Sequence, residues 1–295
     1  MRLLETIREH ALTHPLAIAL DPVVSEPVTW EDLAERVEAM AYDLSTGGQA
    51  GQPYVLCLDH GVEASLAELA LLEARIPVLS LPAFFTEEQA RHARTACGAD
   101  TAFPSASRPA PSVLPLGTAR VTFTSGSTGT PKGVCLSAAH MLSVAASVVE
   151  AVGAEHAGRH CALLPPGILL ETVAGFFATM LAGGTYVCPP QAEVGLTDPF
   201  RPDFAVMANR LAEWKITSLI LVPEYLAGLV TVMERTGLPL PELTLVAVGG
   251  ARVPVDLLER ARALGLPVRH LPLGLICQQL VEVPAAVLEI PVLVE

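Results

Sequence analysis

A chain of 295 residues with 51% hydrophobic content is long enough for two packed layers or two subdomains around a large core. A formal charge of −13 argues against non-specific nucleic-acid binding and against a polybasic membrane anchor. It leaves room for a nucleotide met by local N–H groups, a lysine or a metal. Six cysteines, with no C-x-x-C pair and no Cys/His metal spacing, read as buried thiols of a reducing compartment.

The chain opens MRLLETIREH, with Glu5 and Glu9 where a secretory leader needs its apolar core, so a cytoplasmic protein is expected. Residues 3–14 have the pattern of a short amphipathic helix, and a strand follows over 17–20. Thr29 starts a clear helix, with Asp32 in a box-like position and Leu33, Val37, Met40 and Leu44 as its apolar stripe. A strand over 54–58, a helix over 62–74, a strand over 77–81 and a helix over 86–97, opened by Thr86 and Glu87, come next. Strands alternating with helices at this spacing predict an α/β fold with a mostly parallel sheet and helices on both faces. Residues 105–113, rich in Pro and Ser, are the best linker candidate and separate a first α/β subdomain (1–113) from a second (114–270).

The stretch 121–137, VTFTSGSTGTPKGVCLS, organises the second block. Val121, Thr122 and Phe123 are β-formers. Thr124 to Lys132 then has no large apolar side chain, and a helical pattern begins near Ser137 and runs to Val149. A strand, a small polar loop and a helix form a geometry suited to phosphate: glycines admit the anion, N–H groups point at it, and a lysine adds charge. Walker spacing from Gly126 would need Gly at 131 and then Lys-Ser or Lys-Thr, where Pro131, Lys132 and Gly133 stand. A bare Ser/Thr/Gly linker would need neither the preceding strand nor the ordered Pro-Lys-Gly close.

Beyond the loop, strands over 160–164 and 185–188 flank a helix over 169–181. A helix over 204–214, a strand over 217–222, a helix over 224–236, a strand over 243–248 and a helix over 255–264, ended by Gly265, complete the alternation. His156, His160 and His270 sit singly, which suits satisfied or exposed side chains better than ligands. The mean hydropathy of +0.47 makes a membrane span worth testing. The longest uncharged stretch, 172–192, contains Gly183-Gly184 and Pro189-Pro190 and reads as helix, turn and strand, so no transmembrane span is expected. Peripheral membrane contact stays open.

The run FTSGSTGTPKGV resembles the phosphate-binding signature of the adenylate-forming (AMP-binding) superfamily, which includes acyl- and aryl-CoA ligases, luciferases and adenylation domains of peptide synthetases. The segment 79–86, LSLPAFFT, looks most like the matching turn of bacterial long-chain fatty-acyl-CoA synthetases. The resemblance implies that Thr124, Ser125, Gly126, Ser127, Thr128 and Gly129 wrap the β- and γ-phosphates of ATP, with Thr128 and Lys132 in catalytic roles. It implies that Gly249, Gly250 and Ala251 lie against adenine, and that Gly250 borders the acyl pocket. The segment 164–175, LPPGILLETVAG, resembles the turn and helix that line the carboxylate substrate, with Ile168 and Glu171 as substrate residues. Relatives often carry His or an aromatic residue where Gly167 or Ile168 stands here. Leu169, Leu170, Val173, Phe176 and Phe177 make the region apolar, which suits a fatty acyl chain. A carboxylate would attack ATP to give an acyl-adenylate and then a thioester with CoA or a carrier thiol.

The match runs to about Val268 and then fails. Where the family has Tyr-Gly-Leu-Thr/Ser-Glu, the chain has Leu273, Gly274, Leu275, Ile276 and Cys277, and neither Ile nor Cys is a hard oxygen ligand for Mg2+. Residues 271–295 read as a divergent apolar tail, by truncation, frame shift or adaptation, and the small C-terminal domain is expected to be absent. The reading is an AMP-dependent ligase domain impaired as it stands. The alternative is a non-catalytic nucleotide- or acyl-binding module that partners a complete ligase.

Overall fold

The computed structural model describes residues 2–46, 53–82, 84–99, 114–124, 132–270 and 287–288. In chain order its strands are β1 (Ile18–Asp21), β2 (Val28–Thr29), β3 (Tyr54–Leu56), β4 (Val78–Ser80), β5 (Thr118–Thr124), β6 (Lys132–Ser137), β7 (Arg159–Cys161), β8 (Thr185–Val187), β9 (Ser218–Leu221), β10 (Leu245–Val248), β11 (Val268–His270) and β12 (Val287–Leu288). Its α-helices are α1 (Leu3–Thr13), α2 (Trp30–Thr46), α3 (Val62–Glu73), α4 (Glu87–Cys97), α5 (Ala138–Val152), α6 (Ala178–Ala182), α7 (Phe204–Glu213), α8 (Pro223–Thr236) and α9 (Val255–Ala263).

One sheet has the order β11-β10-β9-β7-β8-β1-β2 and is parallel except where β2 pairs antiparallel with β1. The other has the order β12-β6-β5-β4-β3, with β3, β4 and β5 parallel and β6 antiparallel to both neighbours. A cut at residue 113 does not separate the two sheets. β1 from the N-terminal end pairs with β8, and β4 pairs with β5.

Local chemistry explains where several helices begin. Thr29 Oγ1 accepts the Asp32 N–H at 3.2 Å ahead of α2. Thr86 accepts from Gln89 N at 3.2 Å while Gln89 Oε1 accepts from Thr86 N at 2.9 Å, a reciprocal box that starts α4. Asp203 Oδ1 takes the N–H groups of Ala205 and Val206, both at 3.0 Å, at the start of α7.

The smaller sheet is covered on both faces. Val55, Leu79, Val121 and Cys135 pack with Ala93 and Cys97 of α4, while Tyr54, Leu56 and Val78 pack with Ala67 and Leu71 of α3. In β5, the period that sends Val121 toward α4 sends Arg120 the other way, into the interior, where it is 1% exposed. Its guanidinium meets Glu68 of α3 through Nη1 at 2.7 and 3.0 Å and through Nη2 at 3.0 Å. Nη2 also donates to Ser80 Oγ at 2.7 Å and to Thr172 Oγ1 at 3.1 Å. A charge so deeply placed is tolerable because it is paired and hydrogen-bonded.

Among the described residues, the cysteines depart from the sequence expectation at one position. Cys97, Cys135, Cys161 and Cys188 are buried free thiols, but Cys57 is exposed, because it directly follows β3 where the chain leaves the sheet. Burial raises Cys97 and Cys188 to about 12. The expected break at 172–192 is present, with α6 ending at Gly183 (φ 76°) before β8. Among the described residues no helix is long and apolar enough to cross a membrane.

Two outcomes follow from this packing. Glu68→Ala strands the Arg120 charge in the interior and should cost about 3–5 kcal/mol in denaturant unfolding. Iodoacetamide at pH 8 with peptide mapping should label Cys57 in the native protein and reach Cys161 and Cys188 only after unfolding.

Candidate active site

The phosphate-type loop does not lead into a helix. β5 and β6 form an antiparallel ladder from Thr118–Ser137 to Thr124–Lys132, so the loop joins the two ends of a hairpin, and α5 begins only at Ala138. The cause is visible in 132–137: Val134 and Leu136 face the main core while Cys135 faces the α4 side, an alternation that makes a strand. Ser137 then caps α5 by accepting from His140 N at 3.2 Å. Ser125, Gly126, Ser127, Thr128 and Gly129 lie outside the described residues. Thr124 and Lys132 are described as backbone partners that close the hairpin.

Beside the hairpin is a cavity of about 690 Å3. Its walls come from the ends of strands in both sheets: Pro82, Phe84 and Phe85 after β4, Thr122 and Phe123 in β5, Gly167 to Leu170 after β7, Val222 after β9 and Gly250 after β10. The carboxyl ends of parallel strands are where open α/β sheets gather ligands. The lining is apolar and aromatic, and none of its described residues carries a charge. Phe84 meets Phe85 and Phe200 edge-on at 5.8 and 5.4 Å between centroids. Tyr225 holds the loop that carries Phe200, donating its hydroxyl to Pro199 O at 3.0 Å. Its phenol is pushed up to about 12 by burial and by Asp198. Gly250 has φ 87°, a conformation that favours glycine, and its ideal Cβ would touch Val222 Cγ1 at 3.4 Å.

The expected helix over 169–181 is present over 169–182, but its middle is wound differently. Residues Glu171–Phe177 form a π-helical turn that continues into α6. Glu171 is 2% exposed and accepts from Leu164 N and from the Tyr186 hydroxyl, both at 3.2 Å. His160 Nε2 stands 3.4 Å from Glu171 Oε1, and His160 Nδ1 is 3.1 Å from Ser218 Oγ. Burial, and then the Glu171 charge, push the Tyr186 phenol and the Cys161 thiol well above their ordinary range. Gly175 makes this possible, since a Cβ there would lie 2.3 Å from Glu171 Oε1 and 2.9 Å from His160 Nε2. On the other side, Thr172 accepts from Arg120 and donates to Ile168 O at 3.3 Å.

Ile168 and Gly250, named from the sequence as substrate residues, thus share the apolar cavity. Glu171 does not line it. Its carboxylate ties the two ends of the 164–171 turn together, because the π turn rotates it onto Leu164 N and Tyr186. Gly249 continues the β9–β10 ladder through its N–H to Leu221 O at 3.0 Å, and Gly250 and Ala251 follow it, exposed. Sequence reasoning missed Phe84, Phe85, Gln89, Thr122, Phe123 and Phe200 as lining residues. The paired phenylalanines before a helix cap and the lone Phe200 in a Pro- and Asp-rich loop were the available signals. His160 is buried with Nδ1 against Ser218 Oγ, but among the described residues its Nε2 has no hydrogen-bond partner, so it is not the fully satisfied histidine expected. Among the described residues no three His, Cys, Asp or Glu side chains gather to hold a metal, and Cys277 lies outside them.

Comparison with known proteins bears on the family and the fold. A family model described as AMP-binding enzyme matches residues 105–271, more than half of the chain. The chain is 31% identical over 146 residues to an olefin beta-lactone synthetase of Stenotrophomonas maltophilia, covering 50% of this chain and 24% of that protein. It is 30% identical over 158 residues to a 4-chlorobenzoate–CoA ligase of a Pseudomonas species, covering 52% of this chain and 28% of that one. The matches therefore span about a quarter of these relatives' length. The structure of O-succinylbenzoate coenzyme A synthetase from Bacillus subtilis in complex with AMP is similar in fold, with TM-score 0.69, 20% identity, and 89% of this chain and 71% of that chain covered. The same enzyme with ATP and magnesium ion gives TM-score 0.70 at 20% identity, with 89% of this chain and 58% of that chain covered. The two ligase descriptions name 4-chlorobenzoate and O-succinylbenzoate, and none of these descriptions names a long-chain fatty acid, so the likeness to fatty-acyl ligases carries only as far as the superfamily.

The fit between Gly175 and Glu171 is testable by mutation. Gly175→Ala should lower unfolding stability by about 1–3 kcal/mol through overpacking. The loss should shrink in a Glu171→Ala background, where the clashing carboxylate is gone.

Proposed function

The chain belongs to the AMP-binding enzyme family, and from that premise we propose that it binds ATP at the β5–β6 hairpin and an apolar carboxylic acid in the adjoining cavity. The observation that carries this reading is the position of Gly250 and Ile168 in one apolar wall, beside the strands that lead into and out of the Thr124–Lys132 loop. In the proposed reaction a carboxylate oxygen bonds to the α-phosphorus, the bond to the β-phosphate oxygen breaks, and pyrophosphate leaves. Catalysis of this kind gains from holding the reactants in line and from neutralising phosphate charge. The described residues of the cavity lining supply no charge, so neutralisation falls to the loop, with Lys132 and Thr128 as its central residues.

The lining suits a fatty or an aryl acid. Aliphatic Leu169 and Leu170 accept a chain, and Phe84, Phe85 and Phe200 can meet a ring edge-on. Transfer to CoA or a carrier thiol would follow in the full-length family. The described residues do not form a magnesium site, and no step is assigned to a metal. Ile276 and Cys277, standing where the family has a hydroxyl and a carboxylate, favour a second reading: a nucleotide- and acyl-binding module that partners a complete ligase.

Pyrophosphate exchange into ATP, run with a panel of aliphatic and aryl acids, separates the two. Acid-dependent exchange supports the ligase, whereas ATP binding by calorimetry without exchange supports the binding module. In either case Lys132→Ala should weaken ATP binding about tenfold, the equivalent of one charge-assisted contact. Gly250→Val should remove acid binding, because its backbone angle and the cavity wall both oppose a branched side chain. Unchanged acid affinity in Gly250→Val would move the acid site elsewhere.

A further inference from the structure

Helices α1, α2, α3 and α5 meet around a second space, of about 210 Å3, that shares no lining residue with the large apolar cavity. Its floor is aliphatic and buried: Leu3, Leu4 and Ile7 of α1, Val37 of α2, Leu69 of α3 and Leu142 of α5. Its mouth is charged, with Arg2, Glu73 and Arg75 on the rim, and both arginines are exposed. A dry aliphatic cavity of about 150 Å3 takes benzene, so a space of this size admits an apolar body of about eight carbons.

The charges of the mouth do not cancel. Arg2 Nη2 pairs with Glu73 Oε1 at 2.5 Å. That uses the one carboxylate of the rim, and among the described residues no other pairs with Arg75. Ala138 and Ala139, the first turn of α5, line the same space, and the positive end of a helix adds charge of the same sign.

Arg75 also stands where its residue type is unfavourable. Helix α3 closes with Ile76 N donating to Leu71 O at 2.9 Å and Arg75 N donating to Leu72 O at 3.2 Å. This pair of bonds puts the residue after the cap in the left-handed region, where glycine is the usual choice. Arg75 has φ 58° there, a strained conformation for a residue with a Cβ. What arginine adds over glycine at this turn is a cation at the mouth of an apolar space.

We propose that this space binds an amphipathic monoanion, a carboxylate on an aliphatic body of about eight carbons, with the carboxylate at Arg75 and the chain among the buried leucines. A single net cation over an aliphatic floor suits one negative charge, and it suits neither a polyphosphate nor an amine. The site is separate from the large cavity and independent of its reading as an acid site. A ligand seated here touches α3 one residue from Glu68, the partner of Arg120, and touches α5 where it continues from β6.

Photolabelling of the full wild-type chain with a diazirine-bearing aliphatic carboxylate of about eight carbons, read by peptide mapping, tests the assignment. Labels should fall within 2–7, 69–75 and 138–142. Octanoate should suppress them, and octanamide, its neutral counterpart, should need about tenfold more to do so. Arg75→Gly should erase that tenfold preference without lowering Tm, because the turn favours glycine. Ala138→Leu, which fills the space from α5, should abolish the labelling. Labels confined to 167–170, in the wall of the large cavity, would overturn the proposal and leave the acid reading of that cavity standing. Equal protection by octanoate and octanamide, a preference that survives Arg75→Gly, or no protectable label would also overturn it.

Discussion

The Arg120 guanidinium is the contact on which the arrangement of the two sheets depends. It leaves one sheet, pairs with Glu68 on α3, and reaches Thr172 at the start of the π-helical turn. One residue earlier in that turn, Glu171 is held by Tyr186 and approached by His160, which belong to the other sheet. Two adjacent residues are thus gripped from opposite sides by buried polar groups. The low dielectric of the interior makes such bonds strong when complete and costly when broken. Burying this much charge yields little net stability against an apolar core of the same shape. What it supplies is a defined position for the 164–171 turn.

That position matters because the turn forms one wall of the large cavity. Ile168, Leu169 and Leu170 face it, while Glu171 and Thr172, next in the chain, face the polar networks. The π-helical geometry and Gly175 allow the change of direction over so few residues, at a place where an ordinary helix with a Cβ would collide with the carboxylate. A wall tied at both ends can hold a carboxylate in line with a phosphate without reorganising, which is the kind of preorganisation a group-transfer site needs. The hairpin loop has a different support. Its ends are fixed as the Thr124–Lys132 pair of an antiparallel ladder, and the nearest helix begins at Ala138. Anion binding there would draw on loop N–H groups and Lys132, with no helix N-terminus behind them.

Much of the architecture was legible along the chain because its causes are local. Thr29, Thr86 and Asp203 cap helices through neighbours two or three residues away, and strands such as β9 and β10 are short apolar runs between turns. The errors came where a distant partner overrode the local pattern. The polar loop was expected to lead into a helix, but residues 132–137 first form a strand, because β5 offers a ladder to pair with, and the helix follows from Ala138, close to its expected start. Cys57, in an apolar context, ended exposed because β3 stops at Leu56. Glu171 lay in a motif associated with substrate yet turned inward, to atoms contributed by β8 and by Leu164.

By itself the sequence determined the α/β class, the family signature between Thr124 and Lys132, the Gly-Gly-Ala turn after β10, and the apolar character of the segment after β7. Each of these is set by residue type and spacing, which any stretch of chain carries within itself. Only the tertiary structure decided that strands from both ends of the chain share one sheet and that Ile168 and Gly250 meet in one cavity. It also decided that Gly167 lines both the apolar cavity and a smaller polar cleft. Those facts depend on which distant groups come within a few ångströms of one another. Contact, hydrogen-bond pairing and the exclusion of water are properties of that assembly, and no local segment holds them alone.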